Sequence, residues 1–341
     1  MAENITFRNH LFGSVHDFAD DCGMEPLVQS ATLVELIVAL SRYTEEGVHL
    51  APEMYLCENL NAMLKFLPGH SSIHLGDATN NADGVMKALK KAAPLAIDDW
   101  KIYVEMTDGQ FRYGLFHGDL SPLSIEVDQV LLSGDEGATK VVRVHQAGED
   151  CVEIRSFLGK KHNIYLSHKK EDEPPPGQYL EGLVLAICAN VAEHIREPVQ
   201  TFLRRALRQA LLRSHGTLIA VTSKAERPKL LNDGIDITPA IDFAKTIEGV
   251  MSNDISTSEL RSQMALIEGM VNSDGIVVFN PNGKLLSYNC FVVQAGKNAS
   301  KVVGGARRRA YEALCEKIGH GLSAVYMQSQ DGWTNFKKEA L

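Results

Sequence analysis

Ser273-Asp274-Gly275-Ile276-Val277-Val278-Phe279-Asn280-Pro281-Asn282-Gly283 begins and ends with turn residues around an apolar run. The run at 275–279 has the composition of a buried strand. The Pro281-Asn282-Gly283 segment is typical of a hairpin turn, so we predict that 285–293 returns as a second strand. This hairpin indicates a β-sheet in the C-terminal half, with the Asp274 carboxylate at the mouth of its first strand.

A glycine- and arginine-rich segment follows the hairpin. Gly304-Gly305-Ala306-Arg307-Arg308-Arg309 opens a helix predicted over 307–318. The glycines allow a ligand to approach the backbone closely. Cations at the positive end of a helix cost about 0.3–1 kcal/mol each at exposed sites. A bound phosphate would reverse that cost, so the segment indicates an anion site, with a solvated basic helix start as the alternative.

Asp274 and the arginine segment together suggest nucleotide chemistry. A carboxylate that faces phosphate-binding arginines could hold a metal ion or steer a ribose hydroxyl. The alternative for Asp274-Gly275 is an ordinary turn before a strand, where both residue types are common. The sequence contains no G-x-x-x-x-G-K-[ST], G-x-S-x-G or H-E-x-x-H motif, so the common phosphate loop, the nucleophile elbow and the zinc-protease helix are not indicated.

Length, charge and cysteine usage narrow the class of protein. The 341 residues suffice for two domains. The net charge of -9 argues against broad nucleic-acid binding. The six cysteines form no C-x-x-C pair and suit a reducing compartment. Neither a signal peptide nor an apolar run of ~20 residues is present, so we expect a cytoplasmic protein without a membrane segment.

The proline-rich segment Pro174-Pro175-Pro176 predicts a domain boundary. We expect an N-terminal α+β domain over 1–170, a linker over 171–178 and a C-terminal α/β domain over 179–341. In the first domain the periodicity predicts helices over 31–42, 52–66 and 84–93, and strands of a largely antiparallel sheet over 101–106, 110–116, 124–132, 140–147 and 151–157.

The C-terminal domain mixes helices and strands, which predicts a mixed sheet flanked by helices. Its leading helix is expected over 179–195, and a second helix begins near Pro198. The continuous apolar run at 217–222 predicts a buried strand. Further helices are predicted over 241–251 and 258–270, and a last strand over 323–327.

In this order the elements resemble the diadenylate cyclase (DAC) domain, the catalytic module of the DNA-integrity scanning protein and its relatives. The resemblance covers about residues 198–341. It rests on five matches in the same order. These are a glycine-led strand at 214–221, a glycine-aspartate segment at 232–237, the Asp-Gly-Ala motif at 274–276, the Gly-Thr-Arg-His-Arg motif at 305–309 and a closing strand at 323–327.

The resemblance implies an enzyme that condenses two ATP molecules into cyclic di-AMP and two pyrophosphates, at the meeting of two subunits. Asp274 would act at the ribose hydroxyl and hold a divalent metal, Mg²⁺ or Mn²⁺. Arg307 and Arg309 would hold the polyphosphate. The nucleotide-binding set implied by the resemblance is Gly275, Ile276, Gly305, Ala306, Arg307, Arg308, Arg309 and Gln328.

The chain departs from the family pattern at several positions: Ser273 and Arg308 stand where histidine is common, Ile276 replaces alanine and Gln328 replaces serine. About twenty residues are also inserted before Asp274. Two functions therefore stay open, a diadenylate cyclase or a catalytically silent module that senses ATP or a cyclic dinucleotide. In either case we expect a homo-oligomer, at least a dimer, whose N-terminal domain is a sensor for an unknown ligand or partner.

Overall fold

A computed structural model describes residues 7–24, 29–107, 109–119, 121–134, 139–148, 150–166, 177–292, 305–329 and 334–339. The chain divides into two compact units between residues 166 and 177, and Ser121–Leu123 belong to the second unit. Most of the predicted linker, 171–176, lies outside the described residues. Among the described helices, none is both long and apolar enough to cross a bilayer.

The N-terminal unit is built on a seven-stranded sheet with the order β4-β6-β5-β3-β7-β8-β9. Only β3 and β5 pair in parallel, and the other neighbours are antiparallel. The elements are α1 Phe7–Asp21, α2 Ser30–Leu40, β1 Thr44–Glu45, β2 Val48–His49, β3 Met54–Cys57, α3 Leu60–Leu64, β4 Ser71–Thr79, α4 Ala82–Ala92, a 3₁₀ turn Ala93–Leu95, β5 Lys101–Thr107, β6 Gln110–His117, α5 Val127–Leu131, β7 Val141–Gly148, β8 Cys151–Ser156 and β9 Lys161–Tyr165.

Two predictions for this unit are wrong. The helix predicted over 52–66 is instead strand β3, followed by the five-residue helix α3. All four β3 residues are buried in the middle of the sheet, so tertiary packing overrides the local periodicity. The strand predicted over 124–132 is the short helix α5, which buries Asp128 and Leu131, three residues apart on one face. Helix α1 and strands β1, β2, β4 and β9 were not predicted.

The C-terminal unit contains a second seven-stranded sheet with the order β11-β14-β13-β10-β15-β16, in which β12 also pairs with β14. Strands β10 and β13 are parallel and the other pairs are antiparallel, so the predicted mixed-sheet α/β architecture is confirmed. Its elements are α6 Leu180–Ile187, α7 Glu193–Leu212, β10 Thr217–Thr222, β11 Leu231–Asn232, β12 Ile235–Asp242, α8 Phe243–Met251, α9 Thr257–Val271, β13 Ile276–Asn280, β14 Lys284–Val292, α10 Ala306–Cys315, β15 Leu322–Gln328 and β16 Thr334–Lys338.

Strand β10 shows why this sheet forms. Its six residues are all buried, because helices cover both faces of the sheet. Ile219 and Val221 pack in the cluster formed with α6, α7, α8 and α9, whereas Leu218 and Ala220 pack in the cluster formed with α10. A strand that is buried on both sides needs a continuous apolar sequence. The predicted strand at 217–222 is therefore confirmed residue for residue.

The leading helix predicted over 179–195 is wrong in its second half. Helix α6 ends at Ile187, and α7 begins at Glu193 rather than near Pro198, which lies inside α7. Strands β11, β12 and β16 were not predicted. Most residues of β12 and β16 are exposed or half-buried, so neither sequence has a continuous apolar run.

Strands β13 and β14 approach closely at Gly275. This residue has a φ of 92°, and a Cβ atom there would lie 2.8 Å from the carbonyl oxygen of Cys290 and 2.9 Å from Cα of Asn289. Asn289 itself has a φ of 54°. Glycine is therefore required at 275 by the backbone of the hairpin itself.

We expect Gly275→Ala to lower the free energy of unfolding of the C-terminal unit by about 1–3 kcal/mol, since the new Cβ meets backbone atoms in a left-handed conformation. The control is Gly269→Ala in α9, where no atom lies within 4 Å of the Cβ position. That change should raise stability by up to about 1 kcal/mol. Urea unfolding of both variants measures the difference, and equal stabilities would contradict the assigned role of Gly275.

Candidate functional site

The parallel strands β10 and β13 lie in the middle of the C-terminal sheet, and their first residues lie side by side at the edge of the sheet where these two strands begin. Leu218 lies opposite Ile276, so the segments that precede the two strands run side by side. Asp274 stands two residues before Ile276, and Gly216 stands two residues before Leu218. Because neighbouring strands lie about 4.8 Å apart, the Asp274 turn is next to the 214–216 turn.

Asp274 is exposed at this edge. Its Oδ1 atom accepts a hydrogen bond of 2.9 Å from the backbone N–H of Gly275. In the part of the chain that the structure describes, no other donor reaches this carboxylate. One oxygen is thus fixed by the turn, and the other is available to a hydroxyl or a cation.

Ser273, just before Asp274, has its hydroxyl engaged in the protein. Its Oγ donates a hydrogen bond of 2.7 Å to the carbonyl oxygen of Met270, near the end of α9. This contact closes the helix and fixes the start of the Asp274 turn. Ser273 thus acts in the backbone geometry of the site.

The start of α10 supplies the positive charge. Gly305 is the N-cap and has no side-chain cap, so side chains leave the first N–H groups of α10 uncapped. Among the described residues, none places an atom within 4 Å of a Cβ built on Gly305. The neighbouring Gly304 and the basic loop at 296–301 lie outside the described residues.

Arg307 connects α10 to the edge that carries Asp274. Its Nη1 donates to the carbonyl oxygen of His215 at 3.4 Å. His215 precedes β10, the strand next to β13, so the Arg307 guanidinium and the Asp274 turn are brought to adjacent strand starts. Arg308 and Arg309 are exposed and follow at about 100° steps around the helix. The first turn therefore presents charge in more than one direction.

The remaining predicted residues have different surroundings. Ile276 is 2% exposed and packs in the apolar cluster that includes Tyr311 of α10. Its side chain therefore belongs to the core, and only its backbone can face a ligand. Ala306 is exposed in the first turn of α10.

Gln328 ends strand β15 and pairs with Thr217, the first residue of β10. It therefore lies at the same edge as Asp274. Both polar atoms of its side-chain amide form hydrogen bonds within the protein. Nε2 donates to the carbonyl oxygen of Leu211 at 2.8 Å, and Oε1 accepts from the hydroxyl of Tyr326 at 3.2 Å.

The carbonyl groups of His215 and Leu211 were not found by sequence reasoning. Backbone acceptors leave no residue-type signal, so only the glycine-led strand at 214–221 could have pointed to this turn. Cys290, another neighbour of the site, is fully buried with its thiol near Ser287, and burial raises the pKa of that thiol.

The candidate site suits a metal ion that is held mainly by the phosphates of a nucleotide rather than by protein side chains. Within the described ranges, no three His, Cys, Asp or Glu side chains form a group that could hold a metal ion. Asp274 offers one exposed carboxylate. Mg²⁺ commonly binds through one or two carboxylates and completes its coordination with phosphate and water oxygens, and Asp274 fits that role.

An open groove in the N-terminal unit has a different chemistry. It mixes the carboxylates of Asp77 and Asp83 with Lys87 and two amides. Lys87 already donates to the carbonyl oxygen of Asp77 at 3.0 Å. A nucleotide polyphosphate is recognised by several cations, whereas Lys87 is the one cation among the described residues that line this groove. The edge with Asp274 and Arg307 is therefore the candidate functional site.

No family model matches the chain, and neither the curated proteins nor the solved structures provide a significant match. The candidate site consequently depends on its own residues and geometry.

We expect Arg307→Ala to weaken the binding of pyrophosphate about ten- to a hundredfold, because a charge-assisted hydrogen bond contributes roughly 1.5–3 kcal/mol. The control is Lys284→Ala, which removes the same charge at the opposite end of the β13–β14 hairpin, where Lys284 pairs with Asp242. Isothermal titration of pyrophosphate into both variants compares them. Equal losses would mean that net charge, rather than a site at α10, governs binding.

Proposed function

We propose that the C-terminal unit is a diadenylate cyclase, which condenses two ATP molecules into cyclic di-AMP and two pyrophosphates. The observation that carries the proposal is the meeting of the Asp274 turn and the His215-bound Arg307 at adjacent strand starts. The chain order of the matched segments, from 214–221 to 323–327, supports it.

In the proposed reaction, each subunit binds one ATP with its phosphates at the start of α10. The N–H groups of the first turn and the guanidinium groups of Arg307 and Arg309 would hold the polyphosphate. These charges would also stabilise the pyrophosphate as it leaves. The absence of a side chain on Gly305, with no described residue within 4 Å of its Cβ position, would let the phosphates approach the backbone.

Asp274 would act on the nucleophile. Its oxygen that is not held by Gly275 N–H would orient the ribose 3′-hydroxyl and draw its proton. The 3′-oxygen then bonds to the α-phosphorus of the ATP held by the facing subunit, and pyrophosphate leaves. A second transfer in the opposite direction closes the ring. A bound Mg²⁺ or Mn²⁺ would lower the charge on the phosphates and make the hydroxyl more acidic.

A nucleotide or cyclic-dinucleotide sensor without turnover is the second candidate. It is favoured by Ser273, whose hydroxyl donates to Met270 and not toward a ligand. Arg308, in turn, cannot ligate a metal as an imidazole does. A sensor would bind ATP or cyclic di-AMP at the same edge and leave both unchanged.

The two candidates are separated by incubating the purified protein with ATP and either Mg²⁺ or Mn²⁺, and resolving the products. Cyclic di-AMP is the expected product. ATP that binds but is not converted with either metal would favour the sensor, and no binding at all would reject both candidates. GTP and CTP in parallel reactions test the base, because the core position of Ile276 leaves base selection to other residues.

We expect Asp274→Asn to abolish cyclic di-AMP formation while ATP affinity stays within a few-fold, since the change removes charge at the nucleophile and not at the polyphosphate. The matched control is Asp254→Asn, an exposed carboxylate between α8 and α9 that should leave turnover unchanged. Product formation and ATP binding are measured on the same preparations. Full turnover by Asp274→Asn would contradict the proposed role.

The reaction requires two nucleotides in opposite orientation, so we propose a homo-oligomer with at least two C-terminal units face to face. Adding Asp274→Asn protein to a fixed amount of wild type should lower the total product, because mixed pairs complete only half of the cycle. Unchanged product would mean that subunits work independently.

All six cysteines are buried and free, which suits the cytoplasmic location we propose.

A further inference from the structure

The side chain of Gln328 links the end of strand β15 to the end of helix α7 at the candidate site. It is half-buried at the end of β15, and its side-chain amide donates to the carbonyl oxygen of Leu211 at 2.8 Å. Leu211 is in the last turn of α7, and its carbonyl also accepts from the backbone N–H of the C-cap residue Arg213. The fully buried Tyr326 donates its hydroxyl to the other end of the Gln328 amide at 3.2 Å. This contact holds the amide in the orientation that donates to Leu211.

The end of α7 leads directly into the turn that receives Arg307. Ser214 N–H donates to the same Leu211 carbonyl at 3.3 Å, and Gly216 N–H donates to Ser214 Oγ at 3.1 Å. The carbonyl of His215, between them, accepts from Arg307 at 3.4 Å. A hydrogen-bonded path therefore runs from Gln328 through the end of α7 to Arg307.

We infer that Gln328 is a positioning residue that orients Arg307 for phosphate by fixing the turn at 214–216. The inference depends on the proposed function, since it assigns Arg307 to the polyphosphate. Gln328 acts through the backbone of this turn, because both ends of its amide are already bonded within the protein. The inference assigns no direct ligand contact to Gln328.

The role of Gln328 in fixing the turn at 214–216 is tested by Gln328→Leu, which roughly keeps the size of the side chain and removes its hydrogen bonds. Amide hydrogen exchange of a peptide that covers 213–218 should become about two- to tenfold faster, as expected for the loss of one hydrogen bond. The matched control is Gln263→Leu in α9 of the same unit, which loses the hydrogen bond of 3.0 Å that the side-chain amide donates to the Thr246 hydroxyl. Its 213–218 peptide should exchange at the wild-type rate. An unchanged rate in Gln328→Leu would overturn the inference.

The link to Arg307 is tested by a double-mutant cycle with pyrophosphate and ATP as probes. Gln328→Leu should weaken binding about two- to tenfold in the wild-type background and have no further effect beside Arg307→Ala. Equal losses in both backgrounds would show that Gln328 affects binding independently of Arg307 and would overturn the inference. If the unsubstituted protein binds neither probe, the proposed function fails, and the exchange rates still decide whether Gln328 fixes the turn.

Discussion

The parallel pairing of β10 and β13 is the constraint on which the C-terminal unit depends. Antiparallel neighbours would bring the start of one strand to the end of the other, whereas parallel neighbours bring two starts together. The register of Leu218 with Ile276 therefore sets the Asp274 turn beside the turn that contains His215. Residues far apart in the chain become neighbours through this pairing, and α10 adds Arg307 from one face of the sheet.

The arginines of α10 are the strongest indication of an anionic ligand in the C-terminal unit, although a solvated basic helix start is the alternative. Three cations in the first turn oppose the helix dipole, and no side chain caps this helix. A bound polyphosphate would satisfy the free N–H groups and offset the repulsion among the guanidinium groups. The same physics applies to a cyclase and to a sensor, so the positive charge of the arginines favours a phosphate ligand without selecting between the two. The difference between them lies at Asp274, at its neighbour Ser273, and at Arg308, which cannot ligate a metal as an imidazole does.

A buried strand was predictable where its apolar run was long and continuous, as in the six residues 217–222, and not in the four residues 54–57, although both strands are fully buried. The strand at 217–222 was predicted correctly because both of its faces are covered. The region 52–66 was not, since Met54–Cys57 owes its strand conformation to neighbours in the sheet. In the site, residue types pointed to Asp274 and the arginines. The roles of Leu211 and His215 could not be predicted, because they act through carbonyl groups that every residue carries.

A crystal structure of the protein with 3′-deoxy-ATP and Mg²⁺ is the most direct test of whether Asp274 and Arg307 contact the same nucleotide. This analogue lacks the attacking hydroxyl, so it should remain intact. The account predicts its phosphates at the start of α10 within hydrogen-bonding distance of Arg307, and its ribose 3′ carbon beside Asp274. A nucleotide bound elsewhere, for example in the groove near Lys87, or one whose ribose points away from Asp274, would contradict the account.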